Sequence, residues 1–409
     1  SSRLAEGHKW VLFPSAALAW RISDEPFMKD LVWLDNLKLR VGYGKTGNSA
    51  VSPYQTKGQL ALRHYVFNNG SSEYIGYAPS VMANDQLTWE TTDQWNVGVD
   101  FGFLKNRING TVEFYLQNTK DLLLKRQLPV VSGFSSVMSN VGSTRNKGIE
   151  ITLNTRNIMN RNFTWSTDLT FSANKEEIVE LYNGKTDDVG NLWFIGQPID
   201  VYYNYKKIGI WQNTENDLAE MAKFNEKGAN FKPGSIRLED VDGDYKITEE
   251  DKQILGSVRP KFVASMVNNF EFKGFDLSVF LYASVGGLLR NNIEFMEKPG
   301  RGNTVKVDYW TPTNPTNAFP RPSVDVEKLD YISTLGYDKA DFLRIRNITL
   351  GYTLPEMWSK KVLMDKIRIY LSANNPAIFT NFTGIDPEGA NGRTAPSYST
   401  WMFGINLSM

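Results

Sequence analysis

Residues 240–251 read DVDGDYKITEED, with Asp240, Asp242 and Asp244 alternating and Asp251 closing the stretch. This is the ligand spacing of a calcium loop. Carboxylates stand at its positions 1, 3, 5 and 12, the main-chain carbonyl of Lys246 at position 7, and a hydrophobic residue, Ile247, at position 8. A hard cation such as Ca2+ collects oxygens of this kind. Tyr245 occupies position 6, where such a loop usually has glycine for a sharp turn. A left-handed backbone there costs a bulky residue more than it costs glycine. The same carboxylates also suit a solvated acidic turn, and no helical pattern precedes the loop.

A second group with binding chemistry is aromatic. Trp193, Phe194, Tyr202, Tyr203, Tyr205 and Trp211 crowd residues 175–260. Flat rings offer platforms to the apolar faces of sugars, and equally pack a long segment into a small subdomain. Other chemistries find little support. GYGKTG (42–47) matches a dinucleotide-binding glycine pattern by letters, but continues NSAVSPYQ rather than into the helix that such a site needs. The chain has no cysteine and two histidines, His8 and His64, far apart in sequence. Thiolate metal sites are excluded and histidine-centred catalysis has no partner set. No pair of carboxylates is marked out for acid–base work. Lys+Arg and Asp+Glu both total 45, so there is no broad basic field for nucleic acid.

The elements that must carry these residues are strands. In WNVGVDFGF, Val97, Val99, Phe101 and Phe103 alternate with Asn96, Gly98, Asp100 and Gly102. Phe163, Trp165, Leu169 and Phe171 alternate likewise with Thr164, Ser166, Asp168, Thr170 and Ser172, and Trp401, Phe403, Ile405 and Leu407 with Thr400, Gly404, Asn406 and Ser408. Each pattern is a strand with one apolar and one polar face. Eleven such strands are expected, near 8–20, 37–46, 94–103, 108–120, 147–155, 163–174, 261–272, 275–285, 342–353, 367–375 and 398–409. A change of face between Ile345 and Ile348 predicts a bulge near Asn347. Tight connections (104–107, 157–162, 273–274) alternate with long ones (47–93, 121–146, 175–260, 286–341, 376–397). Short turns on one side and long loops on the other characterise an outer-membrane barrel. A large soluble β-protein also fits alternation alone, for example a secreted, calcium-dependent glycan binder. Because bacterial single-chain barrels have even strand numbers, eleven strands should need others supplied from outside this chain.

Ordered segments then point to a family. LFPSAALAWRISDE (12–25), LKLRVGYGKTGN (37–48), LTWETTDQWNVGVDFGFLKNRINGTVEFY (87–115), NVGSTRNKGIEITLN (140–154), GQPIDVYYNYKKIGIWQN (196–213), PGSIRLEDVDGDYKITEEDKQILGS (233–257), DYWTPTNPTNAFPRP (308–322), DFLRIRNITLGYTLP (341–355) and GIDPEG (384–389) run almost end to end. Together they resemble the C-terminal half of a SusC/RagA-type TonB-dependent transporter. The resemblance implies an all-β fold: about eleven antiparallel strands, half of a 22-stranded transmembrane β-barrel, with long extracellular loops. Residues 1–409 would be the C-terminal part of that barrel, with 175–260 as a large extracellular subdomain, and the plug domain and TonB box absent from this chain. The implied function is TonB-energised import of oligosaccharide or peptide across the outer membrane. The implied partners are a SusD-like surface lipoprotein, TonB through the absent N-terminal part, the remaining barrel and plug, and outer-membrane lipid. Two residues depart from the family pattern: Asn374-Asn375-Pro376 replaces its usual QNL, and the chain ends in Met409 rather than an aromatic.

Overall fold

The computed structural model describes residues 1–70, 72–134, 136–291, 307–322, 330–389 and 397–409. Parts of the expected connections 286–341 and 376–397 therefore lie outside the described residues. Eleven strands form one antiparallel sheet in chain order, with short strand pairs and helices in the connections. They are β1 (Ser15–Arg21), β2 (Leu34–Asn48), β3 (Glu90–Phe103), β4 (Ile108–Lys120), β5 (Ser143–Met159), β6 (Phe163–Glu180), β7 (Phe262–Phe272), β8 (Phe275–Val285), β9 (Phe342–Thr353), β10 (Lys366–Thr380) and β11 (Thr400–Ser408). The chain divides into two compact units, Ser1–Ile199 with β1–β6 and Asp200–Met409 with β7–β11.

In the first unit, register carries the alternation across the sheet. Leu18 pairs with Val41, Val41 with Val97, Val97 with Phe114, Phe114 with Ile149 and Ile149 with Ala173. A second apolar row joins Trp20, Leu39, Val99, Val112, Ile151 and Phe171. On β6 this apolar face runs from Trp165 to Ala173, close to the ~9–11 residues that a tilted strand needs to cross a bilayer. β5 and β6 continue well past it, to 17 and 18 residues. There the same face turns charged: Lys147 pairs with Lys175, and Arg145 lies 3.5 Å from Glu177. The change from Ala173 to Lys175 ends the apolar face at this end of the strands. Rings line both borders. Tyr43 packs tilted against Trp95 at 4.8 Å near the long connections, and Trp33 against Phe103 at 5.6 Å near the tight turn.

The second unit repeats the design. Leu277, Leu350, Leu371 and Phe403 form one apolar row, Phe275, Tyr352, Ile369 and Ile405 the next. Lys273 and Gly274, with φ of 46° and 88°, make the two-residue turn between β7 and β8. The expected bulge is present. Phe280 faces Asn347 but Leu281 faces Ile345, so Arg346 is the extra residue. On the other flank the ladder skips Asn375 and Pro376, and proline has no N–H to offer it.

Three expectations need correction. The first strand begins at Ser15, not residue 8, because Pro14 cannot donate to a ladder. The long connections are not plain loops: Gln59–Phe67 pairs with Ser72–Val81, and Leu123–Gln127 with Ser136–Asn140. A helix, α1 (Glu215–Glu226), does precede the acidic loop. Thr214 caps it by accepting from the amide of Asp217. Only Met221 and Phe224 of this helix are buried, so its apolar stripe is too narrow to register as a pattern.

Candidate functional site

The polar face of the sheet gathers charge wherever the alternation puts it. In the first unit the Arg40 guanidinium donates Nε and Nη2 to the two oxygens of Asp100, each at 3.0 Å, and Nη2 also to Glu113 at 3.2 Å. Thr111 donates to the same Asp100. Gly98 leaves the space for this fork: a Cβ there would lie 2.8 Å from Nη2. In the second unit Arg368 forks onto Asp276, with Nε 2.9 Å from Oδ1, across Gly351. Arg344, 3% exposed, donates to Asp386 at 2.7 Å. Glu388 lies 2.8 Å from its Nε, off the hydrogen-bond line, and also pairs with Arg346. Asp386 accepts in addition from Ser397 Oγ at 2.6 Å and from the Glu388 amide at 3.0 Å, so Asp386, Glu388 and Ser397 are tied to the polar face of β9. The strand members Arg40, Asp100, Glu113, Asp276, Arg344 and Arg368 lie in the polar alternation phase, which is the signal that locates them; Asp386 and Glu388 come from a connection and carry no such signal.

The acidic loop brings together three of its expected ligands. Carboxylate oxygens of Asp240, Asp242 and Asp244 lie within 4.8 Å of one another. Each is partly engaged by the loop itself. Asp240 accepts from the amides of Gly243 and Tyr245, Asp242 from Asp244, and Asp244 from Lys246. Asp251 is not among them. It is fully buried and bridges the amides of Val241 at 2.8 Å and Thr248 at 2.7 Å, so it closes the loop from behind as a staple. Lys246 contributes its amide, donated to Asp244 at 2.7 Å. Three converging carboxylates fit a hard cation, which completes a shell of six to eight oxygens with carbonyls and water. Tyr245 takes the left-handed backbone that its position demands, with φ of 61°. Its ring packs edge-on to Phe224 at 5.4 Å, with the Lys223 amine 5.0 Å above it.

Two of the aromatic candidates, Phe194 and Trp211, are enclosed. Trp211, 1% exposed, is the centre of a core with Met221, Phe224 and Phe231. Phe194 is buried as well. A ring enclosed in this way has no face to offer a ligand. Trp193 belongs with Phe194 to the first unit, where its amide closes a turn onto Asp188. Tyr202 and Tyr203 are half-buried on the strand Val201–Tyr205 of the second unit. Tyr202 packs against Tyr337 at 5.2 Å.

Sequence reasoning gave no sign of a cleft of about 560 Å³ within the second unit. Ile254, Leu255, Leu288, Phe319, Leu335 and Tyr337 give it apolar walls; Lys206, Lys207, Gln253, Thr334, Asp338 and Thr383 are its polar residues.

Residues 3–376 match the family model described as TonB dependent receptor-like, beta-barrel. The chain is 33% identical to a TonB-dependent receptor of Formosa agariphila, over all of this chain and 43% of that protein. It is 32% identical to the TonB-dependent receptor SusC of Bacteroides thetaiotaomicron, over all of this chain and 41% of SusC. It thus spans about two fifths of the length of these curated relatives. Among solved structures it resembles a chain of the RagAB peptide transporter, with a TM-score of 0.81 and 25% identity over 99% of this chain and 44% of that one. A structure of the RagAB peptide importer in its open-open state gives a TM-score of 0.80 and 26% identity, covering 100% and 44%.

Proposed function

This chain belongs to the TonB-dependent receptor-like β-barrel family of the outer membrane, and on that premise we propose that it forms wall, polar lining and extracellular mouth of a SusC-like nutrient importer. The cargo is an oligosaccharide or a peptide. A SusD-like surface lipoprotein closes the mouth over it, and TonB supplies the energy through a plug that is not part of this sequence. No step of this transport needs bond chemistry from the chain; its residues bind, line and exclude.

The observation that best supports the reading is the two-faced sheet. Its apolar rows end at charged residues at the height where a bilayer would end, and its opposite face carries forked ion pairs. In a barrel that face borders water and cargo, where paired charge is tolerated; on the lipid face an Arg or Lys costs roughly 2–4 kcal/mol at mid-bilayer. We also propose that the Asp240–Asp242–Asp244 cluster takes Ca2+ and stiffens the extracellular connection.

Uptake by cells making the full-length protein tests the reading. Labelled oligosaccharide and labelled peptide are offered separately, with and without the adjacent lipoprotein and TonB. Uptake of one cargo, lost without TonB, is expected. Full recovery of the protein in the soluble fraction without detergent would refute it. An epitope inserted beside Asp217 should be reachable on intact cells.

A further inference from the structure

Lys207 and Asp338 both line the cleft of the second unit. Lys207 spends two of its three ammonium protons on the carbonyls of Asn317 and Ala318, at 2.8 and 2.6 Å. No carboxylate among the described residues lies within 4.0 Å of it. Its neighbour Lys206 is different, being paired with Glu239 at 2.9 Å. Asp338 accepts from the Thr383 hydroxyl and makes no ion pair among the described residues. Burial pushes the Lys207 amine below the usual lysine range, while the field of Asp338 pushes it back up. The two charges therefore sense each other across the cleft without touching.

A half-buried ammonium and a half-buried carboxylate that face one cleft without pairing leave each charge open to a ligand group of the opposite sign. A ligand that carries one charge of each sign at its two ends compensates both. A purely anionic ligand would satisfy Lys207 but face the carboxylate of Asp338. The volume, about 560 Å³, falls within the range of small-molecule sites. Tyr337 is held as a firm wall: its ring packs on Tyr202 and its hydroxyl accepts from Asn204 at 3.2 Å.

From this geometry we propose that the cleft binds a short zwitterionic peptide, its carboxylate at Lys207 and its ammonium at Asp338. The site goes beyond the import reading, because it holds ligand whether or not the chain transports it.

Calorimetric titration of the detergent-purified full-length protein with triglycine tests this. Triglycine binds, and N-acetyl-triglycine and triglycine amide each bind at least about tenfold more weakly. Asp338→Asn abolishes the penalty for acetylation, and Lys207→Met abolishes the penalty for amidation. This exchange of preference cannot come from misfolding, since each variant still binds one blocked form as well as it binds triglycine. Three results overturn the proposal: no triglycine binding at millimolar concentration, equal binding of all three peptides by the parent protein, or galacturonate binding as tightly as triglycine. The last would reassign the cleft to anions. None of them bears on uptake, so the import reading stands or falls separately.

Discussion

The sheet and the 200–257 connection solve the same physical problem in opposite directions. On β11 the large apolar side chains are the ones most open: Phe403 is 70% exposed, with Trp401 and Leu407 close behind. In the connection, Ile210, Trp211, Ile236 and Leu238 are almost fully enclosed. The connection is an ordinary small fold with its core inside. The sheet turns its apolar surface outward, where lipid covers it. Hydrophobic burial stabilises the first directly. The second depends on a closed ladder in hydrocarbon, where each unsatisfied backbone group costs several kcal/mol. Mutations in the two regions should therefore fail in different assays.

The largest effect is expected at Trp211. Trp211→Ala removes the centre of the core made with Met221, Phe224 and Phe231. Large aromatic deletions of this kind cost about 3–5 kcal/mol. Limited proteolysis should cut between residues 200 and 257, while the heat-modifiable mobility of the assembled barrel stays unchanged. Loss of barrel mobility in this variant would erase the distinction between the two regions.

The next test enters from the lipid side. Leu169 sits in the apolar row with Leu153, and its neighbour Asp168 lies in the polar phase opposite Asn154. Leu169→Arg should reduce assembly by roughly 2–4 kcal/mol if it lies near mid-bilayer. Asp168→Asn should leave assembly intact. Equal tolerance of both changes would place the register on the wrong face.

That register is readable from sequence because lipid and water sit on either side of a single strand, so period two shows from Trp165 to Ala173, with Thr167 alone breaking the apolar phase. The connection hid more. α1 buries only Met221 and Phe224, and such a stripe does not stand out from its surroundings. The hairpin of Gln59–Phe67 with Ser72–Val81 exposes Leu62, Phe67, Tyr74 and Tyr77, from both of its faces, so it shows no alternation to read. The acidic loop was legible as a motif, but its spacing could not tell a ligand from a staple. Asp251 has the spacing of a ligand and the burial of a core residue. The cleft was invisible because Lys207, Asp338 and Thr383 meet only through tertiary folding.

The loop itself divides the comparison more finely. Asp251→Ala strands the amides of Val241 and Thr248, at about 1–3 kcal/mol for buried groups left without partners. Proteolysis near residue 245 should rise with or without calcium. Asp242→Ala with Asp244→Ala removes exposed carboxylates, and the amides of Asp244 and Lys246 that they accept turn to water. It should raise proteolysis strongly in calcium and only slightly in chelator, because binding stabilises by RT ln(1 + [L]/Kd) and vanishes without ligand. Identical behaviour of the two variants would remove the separation between staple and cation site.

The smallest effect concerns Tyr245, where backbone and side chain pull in opposite directions. Its φ of 61° is a conformation that costs an L-residue about 1–2 kcal/mol. Its ring repays part of that through Phe224 and the Lys223 amine, and an aromatic pair contributes about 0.5–1.5 kcal/mol beyond area burial. Tyr245→Gly removes the strain and the ring together, so the melting of the connection should hardly move. Tyr245→Ala keeps the strain and loses the ring. It should fall below the glycine variant by about 1 kcal/mol. Hydrogen exchange of the 240–251 amides in chelator reads this difference without interference from metal. If alanine matches glycine, the left-handed backbone carries no cost here, and the ring alone explains why a tyrosine can stand where the loop calls for glycine.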